Sequence, residues 1–242
     1  MKVFFAGVES LYEKNLNLVK DGYNLISYYS INKKVPEIIH NSRALLLDSG
    51  AYTFMRNNNN IEWENYIDNY GNFINEYSVE HFFELDIDSI VGYDKVLYLR
   101  NRLERKTNRK VIPVWHKSRG IKEFLNICNC YDYVAIGGIA SGEINKAKYE
   151  LFPRLINYAH SCNAKIHCLG FTDTKKLHSY HFDSVDSTSW GWGRYGYRFI
   201  FTGSDMRMLK KPEGKRCSMI QELQANNIKE WIKFQQYAEV NL

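Results

Sequence analysis

Short, almost continuously apolar runs alternate along this sequence with longer stretches of helical character, and this alternation restricts the fold more than any other feature. Strands that are apolar on both faces and are separated by helices are typical of a parallel sheet covered by helices on both sides. The sequence therefore predicts an α/β protein. The eight candidate strands are residues 3–7, 25–29, 44–48, 81–87, 111–116, 133–137, 165–170 and 183–187.

Eight such units in 242 residues have the size and number of a closed (β/α)8 TIM barrel. We therefore expect a single domain over residues 1–242, with a C-terminal basic segment and a closing helix. A doubly wound open sheet is the alternative if the second and eighth runs are not strands. The glycines of "GGIASG" at 137–142 lack the G-x-G-x-x-G spacing, and no G-x-x-x-x-G-K-[ST] motif is present, which argues against nicotinamide and nucleoside triphosphate cofactors.

Cysteine usage and hydropathy predict a protein without a metal, a disulfide framework or a membrane segment. Cys128 and Cys130 form a C-x-C, but no second close pair follows them, so the five cysteines are expected to be reduced thiols. No stretch approaches the roughly 20 apolar residues that cross a bilayer. The apolar run after Lys2 is too short for a signal peptide, and a cytoplasmic location is expected.

Polar residues stand where the predicted strands end, and in a barrel of this kind those ends share one active-site mouth. Carboxylates follow three different runs. Aspartates at strand ends also serve as helix caps and turn formers, which is the alternative interpretation of each one. Carboxylates crowded in a partly dry mouth cannot all ionise, and this supplies an acid and a nucleophile for glycosyl transfer. The candidates are Asp48, Ser49, Gly50, Asp86, Asp88, His116, Gly137, Gly138, Gly170 and Asp186.

The segment 194–216 is strongly basic. It holds seven basic and two acidic residues, an excess equal to the net charge of +5 of the whole chain. Together with the aromatic residues of "GWGRYGYR" at 191–198 it could bind phosphates and stack bases, although a solvated face or a packed glycine-rich loop explains it equally well. The candidate nucleic-acid contacts are Trp192, Arg194, Tyr195, Arg198, Lys210 and Lys211.

Five stretches in this order resemble the motifs of the tRNA-guanine transglycosylase superfamily. "LLLDSGAYT" at 45–53 resembles its D-S-G-G-[FY]-Q segment, and "ELDID" at 84–88 resembles its base-recognising strand. "VAIGGIASGE" at 134–143, "HCLGF" at 167–171 and "FDSVDSTSW" at 182–190 resemble its glycine-rich turn, its H-x-[LM]-G stretch and its nucleophile segment. The resemblance implies a (β/α)8 barrel and a covalent aspartyl intermediate, with no cofactor.

The resemblance also implies roles for the carboxylates. Asp48 matches the general acid/base at the departing and arriving base, and Asp86 matches the carboxylate that reads the base, with Asp88 as the fallback. Asp186 matches the nucleophile with Asp183 in support, whereas a shifted alignment makes Asp183 the nucleophile.

The resemblance implies roles for the small residues as well, whereas His116 is a candidate only through its position at the end of a strand, where a structural histidine is the alternative. Ser49 and Gly50 shape the pocket around the acid/base, and the backbone N–H groups of Gly137 and Gly138 bind the base carbonyl. Gly170 lies in a matching stretch, and His116 could contact a ligand.

Two departures from the family shape the expected function. The zinc motif C-x-C-x-x-C of the tRNA enzymes is missing, and the chain is shorter than theirs, as in compact relatives from phages and DNA-modification clusters. The resemblance thus implies replacement of guanine by a 7-deazaguanine in DNA, in the host cytoplasm if a phage encodes the protein. Queuine-type exchange in tRNA is the first alternative. A nucleosidase or glycosyl hydrolase that uses water, and a binding barrel without activity, are the others.

Overall fold

The computed structural model describes residues 1–54, 61–171, 173–210 and 219–242. Seven parallel strands form one curled sheet in the order β3-β2-β1-β7-β6-β5-β4. Two further strands, β8 and β9, pair antiparallel in a separate hairpin. The strands are β1 (Lys2–Ala6), β2 (Tyr23–Ser27), β3 (Ala44–Asp48), β4 (Val114–Trp115), β5 (Tyr133–Ile136), β6 (Lys165–Cys168), β7 (Ser184–Ser187), β8 (Arg198–Phe201) and β9 (Met206–Leu209). The α/β class predicted from the sequence is confirmed.

Helices follow most of the strands of the sheet. The α-helices are α1 (Val35–Asn41), α2 (Ala51–Phe54), α3 (Trp63–Glu76), α4 (Asp88–Val91), α5 (Tyr93–Thr107), α6 (Gly120–Cys130), α7 (Phe152–Ser161), α8 (Thr174–Leu177) and α9 (Ile220–Asn241). Short 3₁₀ helices are formed by Val8–Ser10, Glu13–Val19, Tyr28–Ser30, Lys117–Arg119, Lys146–Leu151 and Ser189–Tyr195. None of the helices in the described ranges is both long enough and apolar enough to cross a membrane.

Two apolar clusters follow from the alternation of side chains along the strands. In β1, Val3 and Phe5 belong to the large cluster shared with the helices, whereas Phe4 and Ala6 belong to a smaller one inside the curled sheet. The smaller cluster consists of Phe4, Ala6, Tyr23, Leu25, Leu46, Phe83, Ile112, Val114 and Ala135. Side chains at the carboxyl ends of the strands lie above this inner cluster.

The closed eight-stranded sheet predicted from the sequence is formed only in part. Of the eight runs, the fourth is the one without a full strand in the described residues, while the second and eighth, on which the open-sheet alternative depended, form β2 and β7. The segment of the fourth run meets its neighbours through single parallel bridges, Leu47 to Phe82 and Phe83 to Ile112. The two edges of the curled sheet therefore approach each other across residues 82–83 without an eighth regular strand between them.

Glu84 explains why the fourth run stops pairing. Its backbone N–H donates to Ile112 O at 3.1 Å, but its side-chain Oε1 then accepts the N–H of Val114 at 2.8 Å. A carboxylate oxygen thus stands where the next backbone acceptor of a strand would be. The apolar pattern of the sequence cannot reveal that a side-chain oxygen replaces a backbone acceptor here, because Glu84 lies inside an otherwise apolar run.

The C-terminal helix α9 closes the fold and supports the segment that follows β7. The Asn227 side chain donates to Trp190 O and Tyr197 O and accepts the N–H of Phe199 at 2.9 Å. Gln235 donates to Val3 O at 2.6 Å, which joins the same helix to β1. The loop after Asp186 is therefore held in place by the last helix of the chain.

Candidate active site

Three aspartates lie at the carboxyl end of the curled sheet, as the sequence predicts. Asp48 ends β3, Asp86 follows the bridged segment, and Asp186 lies in β7. The pKa of Asp48 is raised to about 7, mainly by burial and also by the charges of Asp86 and Asp186, while hydrogen bonds from Gly50 N–H and the Ser27 hydroxyl oppose the rise. Asp48 therefore exchanges its proton near neutral pH.

The turn after β3 fixes the orientation of Asp48. Gly50 N–H donates to Asp48 Oδ2 at 3.0 Å, with Gly50 at φ +86°. A Cβ on Gly50 would lie 2.5 Å from the Cβ of Tyr29, so this position excludes every other residue. Ser49 is fully buried, and its hydroxyl has no hydrogen-bond partner in the described structure. Both residues that were predicted to shape this pocket border Asp48.

Asp186 is held by one carboxylate oxygen only. Its Oδ1 accepts hydrogen bonds from Gly170 N–H at 2.7 Å and from His167 Nε2 at 3.1 Å. Its Oδ2 has no hydrogen-bond partner among the described residues, and its side chain is 8% exposed. Gly170, predicted as a substrate contact, is thus placed against the carboxylate of Asp186. One fixed and one free oxygen is an arrangement suited to a nucleophile.

A buried chain of hydrogen bonds extends behind Asp186. The His167 ring is fully buried and contacts the hydroxyl of Ser184 through Nδ1 at 2.6 Å, and that hydroxyl contacts the phenol of Tyr133. The ring packs between Phe4 and Phe83 inside the sheet. The sequence interpretation missed His167, although it lies in the quoted "HCLGF" stretch, because it stands before the end of its strand.

Asp183 lies at the opposite end of β7 from Asp186. Its carboxylate accepts the N–H of Ile166 at 2.8 Å and faces His160 Nε2 at 3.0 Å, and its carbonyl accepts the N–H of Lys2. Three residues along a strand span about 10 Å. The structure therefore does not place Asp183 in the mouth, which removes the basis for its predicted supporting role and for the shifted alignment.

His116 brings two carboxylates together on one wall of the mouth. Its Nε2 lies 3.0 Å from Asp86 Oδ2, and its Nδ1 lies 3.2 Å from Glu143 Oε2. Glu143 also accepts the N–H of Ser118 at 2.6 Å. Glu143 is a second residue that the sequence interpretation missed, since it follows a glycine turn and not a strand.

Asp88, the predicted fallback for reading the base, is bound elsewhere. Arg119 donates to both of its oxygens, at 3.0 and 3.1 Å, and also to Glu84. Asp86 Oδ1, by contrast, has no hydrogen-bond partner among the described residues. The geometry favours Asp86 over Asp88 as the carboxylate that a ligand could reach.

The two glycines after β5 have different roles. Gly137 N–H donates to Trp115 O at 2.9 Å, so it is not the free backbone donor that the sequence predicts. Gly137 packs against the His116 ring, and a Cβ at this position would lie 2.7 Å from the ring. Gly138 lies at φ +87°, and its N–H has no partner among the described residues. Only Gly138 keeps the predicted capacity to bind a carbonyl oxygen.

A groove of about 340 Å³ leads away from Asp186. Gly170 and Ser189 line one part of it, and its charged lining residues are Lys146, Lys175 and Asp173, with Lys146 Nζ 3.6 Å from Asp173 Oδ2. Its apolar lining residues are Ile139, Tyr149, Trp192, Phe199, Met206, Met208 and Trp231. The groove therefore combines apolar surface with charged side chains, and it reaches Gly170, whose N–H binds Asp186 Oδ1.

The predicted nucleic-acid contacts lie on the outside of this region. Trp192 lines the groove and is 37% exposed, and Tyr195 is 56% exposed beneath the Arg194 guanidinium. Arg198 and Lys210 are exposed at the end of the β8–β9 hairpin away from its turn, where Arg198 pairs with Leu209. Lys211 lies outside the described residues. In the ranges that the structure describes, no three His, Cys, Asp or Glu side chains are grouped to hold a metal ion.

Comparison with known proteins supports the fold only. No protein-family model matches this chain, and no curated protein matches it. A solved structure from Aquifex aeolicus VF5, described only as a structural study, is similar, with a TM-score of 0.53 and 12% sequence identity. The similarity covers 97% of this chain and 91% of that chain. At this identity the likeness concerns the fold and not the activity.

Proposed function

We propose that this protein is a transglycosylase that exchanges guanine in a nucleic acid for a 7-deazaguanine through a covalent aspartyl intermediate. The observation that carries the proposal is the pairing of Asp186, with one fixed and one free oxygen, with Asp48, whose pKa is raised to about 7. One carboxylate is thus arranged as a nucleophile and another as an acid. The resemblance of the five sequence stretches to tRNA-guanine transglycosylases supports the same reaction.

The proposed reaction proceeds in two displacements at the same sugar carbon. Asp186 Oδ2 attacks C1′, the bond from C1′ to the guanine nitrogen breaks, and the proton of Asp48 passes to the departing base. The 7-deazaguanine then gives a proton to Asp48 and forms a new C1′–N bond, which releases the Asp186 carboxylate. Two inversions return the original configuration at C1′. No cofactor takes part in either step.

The fold proposed together with this activity is TIM-like. The single bridges at Phe82 and Phe83 bring the edges of the sheet together, and the candidate residues lie at the carboxyl ends of the strands, where barrel enzymes carry their sites.

DNA is the proposed polymer, with tRNA as the alternative. A target base must leave the stack to reach Asp186, and neighbouring nucleotides then need stacking surface and phosphate ligands. The groove that reaches Gly170 offers Trp192 and Tyr149 as stacking surface and Lys175 as a cation, whereas Lys146 is paired with Asp173. The exposed cations of the β8–β9 hairpin extend this surface.

The direct test incubates the protein with guanine-containing DNA or tRNA and a labelled 7-deazaguanine base. Incorporation of label into either polymer, together with a covalent protein–polymer band on a denaturing gel, is the expected result. Release of guanine without incorporation would show a hydrolase instead. If neither polymer loses guanine or forms the band, the proposed function is wrong.

The pH dependence of covalent complex formation should report Asp48. The first displacement needs the protonated carboxyl, and with a pKa of about 7 its protonated fraction falls as the pH rises through neutrality. We expect the single-turnover rate of trapping to decrease about tenfold per unit above pH 7. Asp48→Asn should lower that rate about 100-fold or more and remove this limb of the profile. A variant that keeps the wild-type pH profile would exclude Asp48 as the acid.

Salt dependence of DNA binding should report the hairpin. Replacing Arg198 and Arg207 by alanine should reduce the slope of log Kd against log salt by about 1.8, because each lost phosphate contact contributes about 0.9. The matched control replaces Arg105 and Arg154, which are exposed on α5 and α7. Equal slopes for the two double variants would show that the hairpin does not bind DNA.

A further inference from the structure

The His116 ring is enclosed by two carboxylates and a glycine. Asp86 Oδ2 and Glu143 Oε2 lie 3.0 and 3.2 Å from its two nitrogens, and the side chains of His116, Asp86 and Glu143 are 12%, 13% and 27% exposed. Gly137 packs against the ring so closely that a Cβ there would lie 2.8 Å from Nε2. The position of the ring between these two carboxylates is therefore fixed.

The contacts define the protonation state of the ring. A neutral imidazole carries one N–H, whereas ionised carboxylates only accept, so two carboxylate partners require N–H on both nitrogens. Burial alone would lower the pKa of His116, but the hydrogen bond and charge of Asp86 outweigh it and raise this pKa. Asp88 and Arg119 also face the ring and act in opposite directions.

We propose that His116 is a positioning residue, held as a cation between Asp86 and Glu143, which fixes the Asp86 carboxylate through Oδ2 and leaves Oδ1 as the oxygen available to a ligand. Both oxygens of Glu143 already have partners, because Oε2 faces His116 and Oε1 accepts the N–H of Ser118. This wall therefore presents one carboxylate acceptor, Asp86 Oδ1, and one backbone donor, the N–H of Gly138 next to Glu143.

The ligand edge that fits this wall is the one that the family resemblance already assigns to Asp86 and Gly138. A neutral heterocycle with a ring N–H next to a carbonyl group can donate to Asp86 Oδ1 and accept from Gly138 N–H. The imidazolium balances the charge of one carboxylate, so a cationic ligand is not needed. Guanine and 7-deazaguanine have this edge, and for that identification the inference rests on the proposed function.

Histidine NMR tests the cation without any substrate. In protein labelled with ¹⁵N-histidine, His116 should titrate with a midpoint above about 6.5, the ordinary value for histidine. Asp86→Asn should lower this midpoint by about one unit or more, and Glu143→Gln should lower it less, because Asp86 is the closer partner. His40, exposed on α1, is the control and should be unchanged in both variants. A midpoint at or below 6.5 in the wild type, or one unchanged in both variants, would overturn the proposal.

Calorimetry with free bases tests the ligand class. Guanine should bind at least about tenfold more tightly than 1-methylguanine, which lacks the ring N–H, and His116→Gln should reduce this preference. Equal binding of the two bases would overturn the assigned ligand class. If His116 titrates as expected but no polymer loses guanine in the exchange assay, the proposed function fails and the cationic role of His116 stands.

Discussion

Asp186→Asn is expected to abolish base exchange, with the rate falling at least about 1,000-fold. Asparagine keeps an Oδ1 that can accept from Gly170 N–H and His167 Nε2, so the loop and the ring should stay in place. The amide that replaces Oδ2 is not a nucleophile, and no covalent sugar complex can form. The measurement is the single-turnover rate of covalent complex formation on a denaturing gel.

Asp183→Asn is the matched control, since it makes the same chemical change at the other end of β7. Its carboxylate binds Ile166 N–H and His160, away from the mouth. We expect this variant to trap the polymer within about threefold of the wild-type rate, because the substitution leaves Asp186 and its partners in place. A trapped complex with Asp186→Asn, or its loss with Asp183→Asn alone, would contradict the assignment.

Glu84→Gln is expected to destabilise the fold by about 3–5 kcal/mol. Glu84 is fully buried and accepts from Arg100 through Oε2 and from Arg119 through Oε1. Burial alone would raise the pKa of Glu84, but the two guanidinium groups outweigh it and hold this pKa below its ordinary range. Arg100 is almost completely buried, and the substitution would leave its guanidinium charge without a carboxylate partner. Urea unfolding at pH 7 measures the change in the free energy of unfolding.

The control for this variant is Glu64→Gln, which breaks an ion pair between α3 and α5 at the surface. Glu64 pairs with Lys95, and its side chain is 41% exposed, so the expected loss is much smaller than that of Glu84→Gln because solvent screens the pair. A loss of similar size in the two variants would show that the Glu84 network does not hold the segment between β3 and β4.

The sequence alone predicted much of the sheet and the main carboxylates. A run of apolar residues predicts a buried strand without information from distant parts of the chain. Seven of the eight runs form strands for this reason. Asp48 and Asp186 could be found because polar groups at the ends of parallel strands converge in any fold of this class.

Residues whose partners are distant in the chain could not be predicted in the same way. Glu143 meets His116 from 27 positions away, and Glu84 meets Arg119 from 35 positions away. Asp88 resembled Asp86 in the sequence, and only the position of Arg119 distinguishes them. Gly137 resembled Gly138, but its N–H belongs to the sheet.

The sequence by itself therefore determined the α/β class and which end of the sheet collects the polar side chains, because both depend on periodicity along single strands. Only the tertiary structure decided that the fourth run pairs through two bridges, that Asp183 and Asp186 lie at opposite ends of β7, and that one oxygen of Asp186 stays free. The physical reason is that hydrogen bonds and ion pairs between remote segments select the functional atoms, and a linear pattern contains no record of those distances.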